Sequence, residues 1–189
     1  SEDMGATLDC ISSLGAQYAL DGDILTVRGT SEPLKEDTCF PCRESGSTLR
    51  FFLPQALVKG SGAVFTGTRR LMERGVSIYE TLFAEKSIVL QKSSESLTVS
   101  GRLTPGTYTL RGDVSSQFVT GLLFALPLLD SASVLQVLPP VESRPYIDIT
   151  LDAMKTFGVT VTEAPENTFH IPGGQTYRPM DITVEGDWS

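Results

Sequence analysis

Histidine and cysteine are nearly missing from this chain of 189 residues, which has one histidine and three cysteines. A lone imidazole cannot build a histidine metal cage or a relay of several bases. His170 lies in a strand-like stretch, NTFHIPGG, and reads as structural. Cys10, Cys39 and Cys42 are too few and odd in number for a disulfide framework, which points to a reducing, intracellular setting. Cys39 and Cys42 have CxxC spacing in CFPC, but no second pair completes a zinc site. We read ordinary thiols there, with a redox pair as the second reading.

Basic residues are short as well. Lysine and arginine number 15 against 23 aspartates and glutamates, a net charge of −8. That excludes a general nucleic-acid binder or a protein that coats anionic membranes, both of which need a basic face. It leaves room for a small anionic ligand, because a few local arginines outweigh charges beyond a screening length of about 10 Å. No apolar run reaches the roughly 18 residues that span a bilayer, and no secretory signal opens the chain, so the expected location is cytoplasmic. There is no phosphate-binding P-loop, no dinucleotide fingerprint and no nucleophile triad, and no cofactor or metal is expected.

What the chain does have is repetition. LDCISSLGAQYALDGDILTVRGT (8–30), YETLFAEKSIVLQKSSESLTVSGRL (79–103) and LDAMKTFGVTVTEAPENTFHIPGGQ (151–175) read alike. Each opens with helical periodicity, as at Leu8, Ile11 and Leu14 or Ile147, Leu151 and Met154. Gly15 and Gly158 stand where a helix stops on a left-handed residue, and two short alternating strands follow around a polar turn. The second segment has Ala84-Glu85 at the stop, and aligning Ala84 with the two glycines gives spacings of 69 and 74 residues. Between these segments, GSTLRFFLPQALVKGSGAVFTG (46–67) parallels SSQFVTGLLFALPLLDSASVLQV (115–137): a serine-capped apolar helix, a small-residue turn and a β-rich strand.

The predicted fold class is therefore α/β (α+β), built from βαβαββ units. The expected division is one domain, 1–189, with a partial unit at 1–33, units at 34–103 and 104–177, and a C-terminal strand in 178–189. The truncated first unit and the abrupt DITVEGDWS ending suggest a piece of a longer protein.

If such units pack about a pseudo-threefold axis, equivalent helix N-termini gather at one end. Each carries free amide protons and about half a positive charge, a ready anion site. The loops feeding those ends are Ser45-Gly46-Ser47, Arg74-Gly75, Ser115-Ser116-Gln117 and Ser143-Arg144-Pro145-Tyr146. Each has a plain reading beside a functional one. Ser115 and Ser116 can cap a helix, although two serines plus Gln117 exceed what a cap requires. Gly46 serves either a tight turn or the close approach of backbone to a ligand. Arg50 sits one turn inside its helix, where a surface ion pair is expected. Arg74, beside Gly75 at a helix start, is unfavourable for the dipole unless an anion is present, and Arg69 and Arg70 enlarge that basic cluster. Ser143 is a natural cap before Pro145, and Tyr146 either packs or stacks on a ligand ring. Asp148 and Asp152 read as first-turn dipole partners rather than catalysts.

VSSQFVTGLL, SRPYIDITLDAMKTFGV and ESGSTLRF resemble three signatures of the EPSP synthase family, the enolpyruvyl transferases of the shikimate pathway. TGTRRLMERGVSIYETL resembles the family's arginine-bearing loop, and VEGDWS its return crossing between domains. The resemblance runs the length of the chain. It implies a domain of three βαβαββ units about a pseudo-threefold axis, an inside-out α/β barrel, facing a second domain across a cleft. It also implies that Ser115, Ser116, Gln117, Ser143 and Tyr146 hold shikimate 3-phosphate, and that Gly46, Arg74 and Gln117 contact phosphoenolpyruvate, with Arg50 near that site. A residue larger than glycine at position 46 would imply tolerance of the inhibitor glyphosate.

The implied partners are these two substrates and the missing second domain or a complementary fragment, which would supply the acid–base carboxylates. A Gly-Ser-Lys-Ser stretch is expected just before Ser1. The chain by itself is then expected to do no chemistry. Glu44 and Ser47, where the best-known branch has Asn and Thr, and Phe51 in place of a proline, indicate a different branch. The sister enzyme acting on a UDP-amino sugar carries a reactive cysteine in the loop matching TGTRRLMERGV, which has none. RNA phosphate cyclases share a related repeat, but their histidine chemistry has no counterpart here. A non-catalytic binding or scaffold module of the same repeat is the remaining alternative.

Overall fold

The computed structural model describes residues 1–185. Helix α1 (Glu2–Ser13) leads into a hairpin, β1 (Gln17–Asp21) and β2 (Ile24–Arg28). Two similar units follow. The first contains β3 (Cys39–Arg43), α2 (Gly46–Lys59), β4 (Gly62–Gly67), α3 (Arg69–Arg74), α4 (Ser77–Ala84), β5 (Val89–Lys92) and β6 (Ser96–Ser100). The second contains β7 (Thr107–Arg111), α5 (Ser116–Ala125), β8 (Ser133–Leu138), α6 (Arg144–Thr156), β9 (Thr162–Ala164) and β10 (Thr168–Ile171). Their sheets have the same order, β3-β4-β6-β5 and β7-β8-β10-β9. In each, the first two strands are parallel across a helical crossover and the remaining pairs are antiparallel.

Helix stops reveal the true period. Gly15 and Gly158 take left-handed φ values of 98° and 83°, and the residue after each donates back into its helix, Ala16 to Ile11 and Val159 to Met154. Ile88 makes the same bond to Phe83, and the residue before it, Ser87, has φ 59°. The stop of the middle unit is Ser87 rather than Ala84-Glu85. The three stops are thus 72 and 71 residues apart, a more even spacing than the sequence alignment gives.

The strand expected in 178–189 is not formed over the described residues 178–185, where Met180, Ile182 and Val184 are exposed. Most of the VEGDWS crossing lies outside the described residues. The β1–β2 hairpin is also uncovered. Leu25 and Val27 are exposed, whereas Leu97 and Val99, in the matching LTV of β6, are buried in the core. No helix among the described residues is long and apolar enough to cross a membrane.

A proline sets the central helix contact. Pro54 lies inside α2 and has no N–H, so the Arg50 carbonyl four residues earlier lacks its helical donor. Tyr79 of α4, fully buried, donates its hydroxyl to that carbonyl at 2.9 Å and lies 3.0 Å from the Phe118 carbonyl of α5. Burial pushes the phenol well above its usual value, so it stays protonated and able to donate. Gly121 lets α5 lie against the same spot, since a Cβ there would run into the Arg50 carbonyl and the Tyr79 hydroxyl. Helix α6 is joined to α5 by the buried Thr120–Thr150 hydroxyl pair, 2.8 Å apart.

A second tie holds the start of α6. Arg144 grips Glu163 of β9 with two bonds, 2.6 and 2.7 Å, and also bonds Asp148 at 2.8 Å and Asn167 at 3.2 Å. Asp148 is therefore an ion-pair partner one turn along, not a first-turn dipole partner. Asp152 lies a further turn on and bonds Thr156 through its carbonyl.

Two outcomes follow. Tyr79→Phe strands a buried carbonyl and is expected to cost about 1–3 kcal/mol in chemical denaturation, less in a Pro54→Ala background where a helical donor returns. Equal costs in both backgrounds would contradict the assigned role. Bonds from Arg144 hold Glu163 below its ordinary carboxylate value. Its favourable contribution is therefore complete above the unfolded value and lost as pH falls through the lower folded one. An acid titration should show wild type losing stability below the ordinary carboxylate range, and Glu163→Gln should flatten that limb. An unchanged limb would contradict the tie.

Candidate functional site

Helices α5 and α6 form the walls of an open groove of about 590 Å³. Its lining follows helical spacing on both sides: Ser116, Gln117, Thr120 and Phe124 along α5, and Tyr146, Ile149, Thr150 and Ala153 along α6. Ser115 and Ser143 stand at the two helix mouths, and Phe51 of α2 closes the inner end, edge-on to Phe124 at 5.8 Å between ring centres. All five residues expected to hold the phosphorylated substrate, Ser115, Ser116, Gln117, Ser143 and Tyr146, therefore lie in one groove.

Their polar atoms are mostly uncommitted. Ser115 caps α5 through a long bond from the Gln117 amide, 3.3 Å. Ser143 occupies the cap position of α6 but makes no side-chain cap bond, in contrast to the cap expected from sequence. Pro145 at the helix start has no N–H to offer it. Among the described residues, neither Ser116 Oγ nor Tyr146 Oη is bonded within the chain, and Tyr146 is 66% exposed. The groove thus offers several hydroxyls at the α5 and α6 mouths, with apolar Phe51, Phe124 and Ile149 between them. Such a lining suits a ring bearing an anionic group.

Beside the groove lies a pair of guanidinium groups. The Nη1 of Arg50 donates to Gln117 Oε1 at 2.7 Å, and its Nη2 reaches the Gly75 carbonyl at 3.5 Å. Its Cζ sits 4.6 Å over the Phe118 ring. The expected surface ion pair is absent: no carboxylate pairs with Arg50 among the described residues. It lies one turn into α2 on the side facing α5, so its side chain runs between the helices rather than into solvent. Its Nε is buried without a partner. Burial first, and then the charge of Arg74, push the Arg50 guanidinium below its usual value.

Arg74 is not at the start of a repeat helix. It ends the six-residue α3, where a cation suits the dipole, and donates to the Glu44 carbonyl at 2.8 Å. Arg69 and Arg70 are paired with Glu73 and Glu44 on the surface and do not join it.

Gly46 opens α2 between the two arginines. A Cβ there would lie 3.7 Å from Arg50 Nη1 and from Arg74 Nη2, ordinary contact, and the backbone is not left-handed. Of the two readings for Gly46, the tight turn that demands glycine is the one excluded. A Cβ there would fit against both guanidinium groups, so nothing among the described residues demands glycine. Gly46 and Arg74 do not line the groove itself, but reach it through Arg50 and Gln117.

Sequence reasoning missed the threonines Thr120 and Thr150, although both fall on the stripes of their helices that carry the site. It also missed the close approach of the buried Cys10 and Cys42 thiols, 3.9 Å apart, while Cys39 is exposed. His170 is on the exposed side of β10.

Comparison with known proteins bears on the family. The family model for EPSP synthase (3-phosphoshikimate 1-carboxyvinyltransferase) matches residues 1–189. A 3-phosphoshikimate 1-carboxyvinyltransferase from Clostridium kluyveri is 42% identical over 191 residues, covering all of this chain and 45% of that protein. One from Clostridium perfringens is 40% identical over 194 residues, again with 45% of its length covered. The chain thus spans a little under half the length of these relatives. The solved EPSP synthase from Acinetobacter baumannii has the same fold, with a TM-score of 0.74 over 94% of this chain and 40% of that one, at 17% identity. The chain belongs to the EPSP synthase family.

Proposed function

We propose that this chain is the shikimate 3-phosphate-binding domain of a two-domain enolpyruvyl transferase. In that reading the groove holds shikimate 3-phosphate. Ser115, Ser116 and Ser143 meet its phosphate with the helix-mouth amides, Tyr146 lies along its ring, and Gln117 touches both substrates. Gly46 and Arg74, with Arg50 behind them, receive the anionic groups of phosphoenolpyruvate, where two cations suit an anion. The whole protein would add phosphoenolpyruvate to a shikimate hydroxyl and then expel phosphate, leaving the enolpyruvyl ether. No carboxylate lines the groove among the described residues, so in this reading proton transfer falls to the other domain.

The observation that carries this reading is the meeting of five separately identified residues, from two helix mouths 28 residues apart in sequence, in one groove. We read the chain as a partial unit, 1–33, two full units, 34–103 and 104–177, and a segment from 178 onward leading to the second domain. The uncovered hairpin face of Tyr18, Leu20, Leu25 and Val27 suits a further strand and helix, like those over Leu97 and Val99. The UDP-amino sugar alternative finds no cysteine in Thr66–Val76 to support it.

Titration calorimetry of the full polypeptide that carries this chain tests the assignment. Shikimate 3-phosphate should bind at least about tenfold more tightly than shikimate, since charge-assisted bonds to the phosphate are lost with it. Equal affinities would overturn the reading in favour of a non-catalytic module.

A further inference from the structure

Gln117 stands where the groove meets the two guanidinium groups, and the end of its amide that faces a ligand decides what it can bind. A carboxamide oxygen accepts hydrogen bonds and its nitrogen donates two. The Arg50 guanidinium has donors only, so the Gln117 atom 2.7 Å from its Nη1 must be the oxygen. The two protons on Nε2 are then left for the groove that Gln117 lines. We propose that Arg50 is a positioning residue: by occupying the Gln117 amide oxygen, it makes Gln117 a donor toward the groove and so selects an oxygen acceptor, such as a phosphate or carboxylate, over a cationic group.

The surroundings of Arg50 fit this role better than a structural one. Arg144 shows what a structural arginine looks like in this fold, gripped by Glu163 and Asp148 and stacked on a strand phenylalanine. Arg50 has no such carboxylate among the described residues, and its Nε has no partner. A side chain present only to pack on Phe118 would do so at lower cost without a charge. Its charge has one well-made bond, and that bond is to Gln117. The Phe118 ring beneath it and the Gly75 carbonyl hold the guanidinium plane against the amide.

The proposal rests on the groove being the anion site described above, and its test separates the two. In the full polypeptide, dissociation constants for shikimate 3-phosphate are compared for wild type, Arg50→Met, Gln117→Ala and the double variant. Arg50→Met should weaken binding about tenfold on its own and by much less in the Gln117→Ala background. Equal losses in both backgrounds would overturn positioning through Gln117. Arg50→Lys, which keeps a donor-only cation, should retain most of the affinity; a loss as large as that of Arg50→Met would count against the proposal.

Should Arg50→Met fail to fold, Gln117→Glu decides: a carboxylate paired with Arg50 offers the ligand no donor and should bind more weakly than Gln117→Ala. Equal or tighter binding would overturn the idea. If wild type binds no shikimate 3-phosphate, the ligand reading fails, and the amide is then read alone. The Gln117 side-chain NH2 resonances should move in Arg50→Met and stay in Arg50→Lys, and resonances unmoved in Arg50→Met would refute the positioning.

Discussion

The architecture of the site depends on one backbone carbonyl that its own helix cannot satisfy. Pro54 removes the donor for the Arg50 carbonyl, the buried Tyr79 hydroxyl replaces it, and Gly121 brings α5 against the same point. Three elements, α2, α4 and α5, are thereby locked at a single contact. From that contact the Arg50 side chain reaches Gln117, one turn up α5 from Gly121. A larger residue at position 121 would part the helices and break the reach. Packing and recognition are therefore the same constraint seen from the backbone and from the side chain.

Electrostatics complete the picture. The chain carries a net charge of −8, yet among the described residues no carboxylate lines the groove or pairs with Arg50, and Arg50 and Arg74 stand beside it. Several acidic groups near the site are spent on other partners: Glu163 and Asp148 on Arg144, Glu44 and Glu73 on Arg70 and Arg69. Arg50 and Arg74 thus put positive charge beside the groove of a globally acidic protein, and it acts over the few ångströms that matter for a bound anion.

Much of this was legible from the chain. Repeated helix–hairpin segments revealed the two matching units, and polar residues ahead of apolar helices revealed the groove, because a helix mouth needs few residues to announce itself. What periodicity could not show was where side chains travel between helices. Arg50 reads as a surface residue until the α2–α5 approach is known, and Arg74 reads as a helix start until α3 is seen to end there. The stop at Ser87 escaped notice because a serine in left-handed conformation leaves no compositional mark. The strand expected near the C-terminus has the right alternation but pairs with no strand among the described residues, and strands are made by their neighbours.

The central claim is that distant helix mouths serve one ligand. Nitrogen-15 correlation spectra recorded while shikimate 3-phosphate is added read this directly. Shift changes should concentrate at Ser115, Ser116, Gln117, Ser143 and Tyr146, and saturate together with a single dissociation constant. Perturbations confined to one helix mouth, or centred on the loops around Arg43 and Ser93–Ser96, would contradict it.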